Sequence, residues 1–98
     1  MRTLMVMKWA GVTPEQYDKL RKSVNWEGNV PKGAVFHVAA FTDNGILVTD
    51  IWDSTDDFQK FVQSRLMPAT SEAGIKGEPQ IEYFPVHAIF VADRERLV

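Results

Sequence analysis

The chain contains no cysteine. That removes a disulfide framework, a thiolate nucleophile, a Cys-ligated zinc and an iron–sulfur cluster from consideration. Basic charge is not in excess either. Eleven Lys+Arg against 13 Asp+Glu give a formal net charge of -2, with a pI near 5.6, whereas a nucleic-acid-binding domain normally carries a basic stripe. No run approaches the roughly 20 apolar residues of a membrane span. The N-terminal stretch Met1-Arg2-Thr3-Leu4-Met5-Val6-Met7-Lys8-Trp9 is broken by Lys8 and has no small-residue cleavage site. It reads as a strand rather than a signal peptide, and a cytoplasmic location is the expectation. No Gly-rich phosphate loop follows, because Ala10-Gly11-Val12-Thr13 leads directly into a helix.

What is abundant is apolar and aromatic. Of 98 residues, 45% are hydrophobic, and three Trp, two Tyr and six Phe are present. The length suits one domain over 1–98, with a core sufficient for independent folding. Residues 3–9 read as a first strand. Thr13-Pro14-Glu15-Gln16 supplies an N-cap, a Pro at the first helical position and a capping-box Gln. Tyr17, Leu20 and Val24 then mark one face of a helix over 14–24. Residues 25–33 form a loop that carries Trp26. Two apolar or β-branched runs, 34–42 and 46–53, flank Asp43-Asn44-Gly45, and Asn-Gly between such runs is a hairpin signal.

Ser54-Thr55-Asp56-Asp57 caps a second helix whose buried stripe is Phe58, Phe61, Val62 and Leu66, with its acids near the positive end of the dipole. Pro68 and the stretch 73–79 suggest a loop with at most one further helical turn. Residues 81–91 read as the last strand, and Asp93-Arg94-Glu95-Arg96 as a solvated tail. This order predicts an α+β, ferredoxin-like βαββαβ fold: a four-stranded antiparallel sheet with two helices on one face. The strand order of that fold places the last strand at an edge, where Pro85 is tolerated.

Parity divides each strand between two faces. One set holds Leu4, Val6, Phe36, Val38, Ala40, Leu47, Thr49, Ile51, Phe84, Val86, Ala88 and Phe90. It is nearly all apolar and is expected beneath the helices. The other holds Met5, Met7, Trp9, His37, Ala39, Phe41, Val48, Asp50, Trp52, Tyr83, His87 and Ile89. An Asn44-Gly45 turn sets His37 opposite Trp52 and leaves His37 and Asp50 diagonal neighbours. With the helices on the first face, the second is left as a large exposed aromatic patch. Its expected cover is a second copy, giving a homodimer with an apolar interior.

The chain resembles the dimeric α/β-barrel superfamily, which includes antibiotic-biosynthesis-monooxygenase-like proteins. The resemblance lies in element order and length, and locally in Asp50-Ile51-Trp52-Asp53-Ser54-Thr55-Asp56-Asp57-Phe58-Gln59-Lys60-Phe61. It implies a hydrophobic ligand cavity inside each barrel. Members include quinone-forming oxygenases, haem-degrading enzymes, polyketide cyclases and dehydratases, and no residue-level catalytic motif carries over.

From the residues themselves, His37 is the candidate acid or base and Asp50 its orienter, because a carboxylate fixes the imidazole tautomer and raises its basicity. Trp52 and Tyr83 are candidate walls for a hydrophobic, aromatic or polyketide-like ligand, with Met7, Trp9 and Phe41 beside them and His87 a second polar anchor. Trp26 is either a lid or a dimer contact. No metal is expected, since His37 and His87 sit three strand spacings, about 14 Å, apart. No organic cofactor is expected either. The leading reading is a cofactor-independent monooxygenase or a cyclase/dehydratase, and the alternative is a non-catalytic ligand-binding or interaction module.

Overall fold

Thr3–Ala10 forms β1 in the computed structural model, which describes residues 1–97. Helix α1 spans Pro14–Val24 and opens with the expected capping box, in which the Thr13 hydroxyl accepts from the Gln16 amide and the Gln16 side chain accepts from the Thr13 amide. It closes at Asn25, which takes the left-handed conformation (φ 54°). Strands β2 (Ala34–Thr42) and β3 (Gly45–Trp52) form a hairpin. Helix α2 (Thr55–Phe61) starts where the Ser54 hydroxyl accepts from the Asp57 amide. A π-turn over Val62–Leu66 leads into α3 (Met67–Glu72), and β4 (Gln80–Pro85) completes an antiparallel sheet of order β2-β3-β1-β4. The fold is the ferredoxin-like α+β arrangement expected from the element order.

Two boundaries differ from the sequence reading. Helical structure runs through Pro68 rather than stopping there. Proline lacks an amide hydrogen and disrupts an ordinary helix interior, but here the preceding π-turn places Pro68 in the first turn of α3, where that hydrogen is dispensable. The last strand ends at Pro85 instead of continuing to 91. After the Val86 amide donates to the Arg2 carbonyl (3.0 Å), no ladder pairing with the sheet continues.

The hairpin turn is Asp43-Asn44, because Thr42 pairs with Gly45. Relative to an Asn44-Gly45 turn the register moves by two residues, so every side chain keeps its face while its partner changes. His37 therefore lies directly opposite Asp50. Gly45 serves the approach of β1: a Cβ there would come 2.2 Å from the Trp9 carbonyl oxygen. Replacing Gly45 with Ala is expected to destabilise the protein by about 1–3 kcal/mol in urea unfolding, because the clash is with backbone and cannot be relieved by a rotamer change. An unchanged midpoint would contradict that close approach.

Within the strands the parity sets are as expected, whereas Val86, His87, Ala88, Ile89 and Phe90 lie beyond the end of β4, and the helices cover the opposite face. Met5, Met7, Trp9, Ile46, Val48 and Trp52 are buried with Phe58 of α2, and Tyr17, Phe61 and Leu66 pack against them. The aliphatic set is the uncovered one: Phe36, Val38 and Phe84 are 37%, 49% and 45% exposed. Assigning the more purely apolar set to the helices produces the inversion. Asp50 is buried because both of its oxygens accept hydrogen bonds, which offsets the cost of removing a carboxylate from water.

Candidate functional site

The cavity lies between the sheet and the helices of one protomer. Its volume is about 210 Å³, and its floor is Met5, Met7, Trp9, Ile46, Val48, Asp50 and Trp52. Tyr17 and Leu20 of α1, Phe58 of α2, and Phe61, Leu66 and Thr70 along the second helical stretch form the roof, while Trp26, Glu27, Val30 and Pro31 of the 25–33 loop stand at one side. A half-open cleft between a sheet face and an amphipathic helix pair is a common setting for a small-molecule site.

The polar groups at this site form one chain. His37 Nδ1 stands 2.6 Å from Asp50 Oδ1, and Trp52 Nε1 donates to Asp50 Oδ2 at 3.0 Å. His37 Nε2 stands 2.8 Å from the Tyr17 hydroxyl. With the carboxylate accepting from Nδ1, the neutral imidazole holds its hydrogen there and Nε2 accepts from Tyr17. The Tyr17 and His37 rings lie within 8° of parallel with centroids 6.1 Å apart.

Trp26 folds over this pair, 5.8 Å from Tyr17 and 5.2 Å from His37 between ring centroids. Its loop is pinned by the Asn25 side chain, which accepts from the Gly28 amide, and by a two-pronged ion pair between Arg21 and Glu27. The Arg21 guanidinium holds the Glu27 carboxyl below its ordinary range by hydrogen bonding. Burial raises the Tyr17 hydroxyl above its ordinary value of 10.0. An alkaline titration of tyrosinate absorbance is therefore expected to show one component above 10, absent from Tyr17→Phe. The sign is that of a group protonated more firmly when folded, so stability from this group is intact below 10 and declines as pH rises through the folded value. A single transition at the ordinary value would contradict the burial of this hydroxyl.

Among the candidates from sequence, His37, Asp50, Trp52, Met7 and Trp9 line the cavity together. Phe41, Tyr83 and His87 lie outside its lining. Phe41 meets the edge of Tyr17 at 6.2 Å and Tyr83 backs Phe58 at 6.0 Å, while His87 is exposed beyond the end of β4. Tyr17, Trp26, Phe58 and Phe61, read from sequence as core or loop residues, belong to the cavity. Among the described residues there is no cluster of three or more His, Cys, Asp or Glu side chains able to hold a metal, and no helix is long and apolar enough to cross a membrane.

By sequence, no family model and no curated protein matches the chain. By structure, it is a ferredoxin-like protein whose neighbours are antibiotic-biosynthesis-monooxygenase-like proteins of the same fold. SnoaB, a cofactor-independent oxygenase from Streptomyces nogalater, superposes with a TM-score of 0.62 at 14% identity, covering 90% of this chain and 94% of that one. The ActVA-Orf6 monooxygenase of Streptomyces coelicolor, in complex with Nanaomycin D, gives 0.56 at 17% identity over 93% and 92%. A dimeric ferredoxin-like protein of unknown function from Thermobifida fusca gives 0.57 at 13% identity over 88% and 92%.

Proposed function

We propose that the protein is a small-molecule enzyme that binds a hydrophobic aromatic or polyketide-like ligand in the cavity between sheet and helices and performs proton-transfer chemistry on it. The observation that carries this reading is the Asp50–His37–Tyr17 chain at the wall of an otherwise apolar cavity. Asp50 orients His37, and His37 is the proton acceptor and donor. Trp52, Met7 and Trp9 supply flat and adaptable apolar contacts. The descriptions of SnoaB as a cofactor-independent oxygenase and of ActVA-Orf6 as a monooxygenase in complex with Nanaomycin D support monooxygenase-like chemistry without an organic cofactor, with cyclase-like proton transfer the other use of the same chain.

The same proposal includes a homodimer. The uncovered sheet face, with Leu4, Val6, Phe36, Val38, Leu47, Ile51, Phe84 and Val86, is an apolar patch larger than scattered single exposures explain. A second copy covers it, and this arrangement leaves each cavity within its own protomer. Light scattering during size exclusion is expected to return twice the chain mass, and Val38→Lys to return the chain mass. A native monomer at micromolar concentration would contradict the pairing.

All three tryptophans of the chain line the cavity, so intrinsic fluorescence reports on it directly. Titration with a naphthoquinone is expected to give saturable quenching and a raised melting temperature. Quenching that rises linearly without saturation, with no thermal shift, would contradict a ligand site.

A further inference from the structure

We propose that Tyr17 is the residue that meets the ligand, that the ligand is an uncharged phenol or enol presenting one hydroxyl, and that His37 acts only through Tyr17. This rests on the reading of the cavity as a ligand site. It follows from the partners that the polar side chains along the wall already have. Both ring nitrogens of His37 are engaged, one by Asp50 at 2.6 Å and the other by Tyr17 at 2.8 Å. Trp52 Nε1 donates to Asp50, Trp9 Nε1 to the Lys76 carbonyl at 2.9 Å, and the Thr70 hydroxyl to the Met67 carbonyl at 2.8 Å. The Glu27 carboxylate is held by Arg21.

Beside the Trp26 indole N–H, which can only donate, the Tyr17 hydroxyl keeps the open acceptor capacity on the histidine chain. Its single hydrogen goes to His37 Nε2, and its oxygen retains a lone pair that accepts. The complement is a donating hydroxyl. A carboxylate would bring lone pairs against that lone pair, and no Lys or Arg lines the cavity to neutralise it. Burial keeps Tyr17 a phenol, so it remains the donor to His37. When the ligand O–H gives its proton to the Tyr17 oxygen, the Tyr17 proton passes to His37 Nε2. The products are a ligand anion held by the re-formed Tyr17 hydroxyl and an imidazolium facing the Asp50 carboxylate. No electron changes hands. His37 is thus a positioning residue for the ligand and the terminal proton acceptor, and the aromatic wall behind Tyr17 suits a flat ring.

The test uses alpha-naphthol, naphthalene and alpha-naphthoate in calorimetric titrations of the full chain, with Tyr17→Phe as the variant. The native protein is expected to bind naphthol roughly fivefold to tenfold more tightly than naphthalene, the range of one net hydrogen bond, and naphthoate least. Tyr17→Phe is expected to bind both neutral probes equally, at the naphthalene affinity. Binding of none of the probes would overturn the ligand-site reading itself. Binding with a hydroxyl preference that survives Tyr17→Phe would overturn only the role of Tyr17. The relay is read separately by the visible absorbance of para-nitrophenol. A raised ionised fraction on binding, lost in His37→Gln, supports transfer to His37, and an unchanged fraction in the native protein overturns it.

Discussion

Replacing Asp50 with Ala is expected to lower the unfolding free energy by about 2–3 kcal/mol, because the buried Trp52 Nε1 is left without an acceptor and the half-exposed His37 Nδ1 loses its carboxylate at the same time. Urea unfolding of Asp50→Ala and of the native chain measures it, and a difference under about 1 kcal/mol, close to that of a surface change, would contradict the burial of Asp50 and Trp52. Asp50→Asn separates stability from chemistry. Its amide oxygen still accepts from Trp52, and its amide nitrogen donates to His37 Nδ1. The imidazole must then carry its hydrogen on Nε2 and donate to Tyr17. The fold persists while the direction of the chain reverses, so proton abstraction from a ligand is expected to fall by at least about a hundredfold. Full turnover by Asp50→Asn would show that the chain is structural.

Phe58→Ala is expected to cost about 3–5 kcal/mol, the range for deleting a buried aromatic ring. Phe58 is 2% exposed and meets Trp52 and Tyr83 at ring-centroid distances of 5.5 and 6.0 Å. It anchors α2 to the sheet and lines the cavity. Thermal unfolding checks the value, and calorimetry with a larger aromatic probe checks the second consequence: the vacated ring volume adds to the cavity. A melting temperature within a degree or two of native, on the scale of about 1 kcal/mol or less for a chain this short, would contradict the core position given to Phe58.

Element order was legible because its signals are local. The capping box at Thr13, the Ser54 cap and the helix stripes each depend on residues within one or two turns, and the structure realises them. Parity was equally legible, since alternation along a strand needs no tertiary information. The choice of covered face was not. Both sets are apolar, and His37 and Asp50 made the second set the less purely apolar of the two; only the directly opposed register lets each satisfy the other beneath the helices. The two-residue shift of the hairpin places Gly45 inside β3 beside Trp9 of β1, a long-range neighbour that the local Asn-Gly signal does not report. Tyr17 escaped for a related reason: at helical spacing beside Leu20 and Val24 it reads as a core residue, and only the closure of α1 over β2 brings its hydroxyl to His37. Pro68 stopped a helix on paper because a π-turn has no simple sequence signature.

Methyl NMR of the four methionines reads the site most directly. Met5 and Met7 form the cavity floor, whereas Met1 and Met67 are 94% and 50% exposed. Titration with alpha-naphthol is predicted to shift the Met5 and Met7 methyl resonances to saturation while those of Met1 and Met67 stay in place. Saturable binding that leaves Met5 and Met7 unmoved would place the ligand elsewhere and contradict a site between the sheet and its helices.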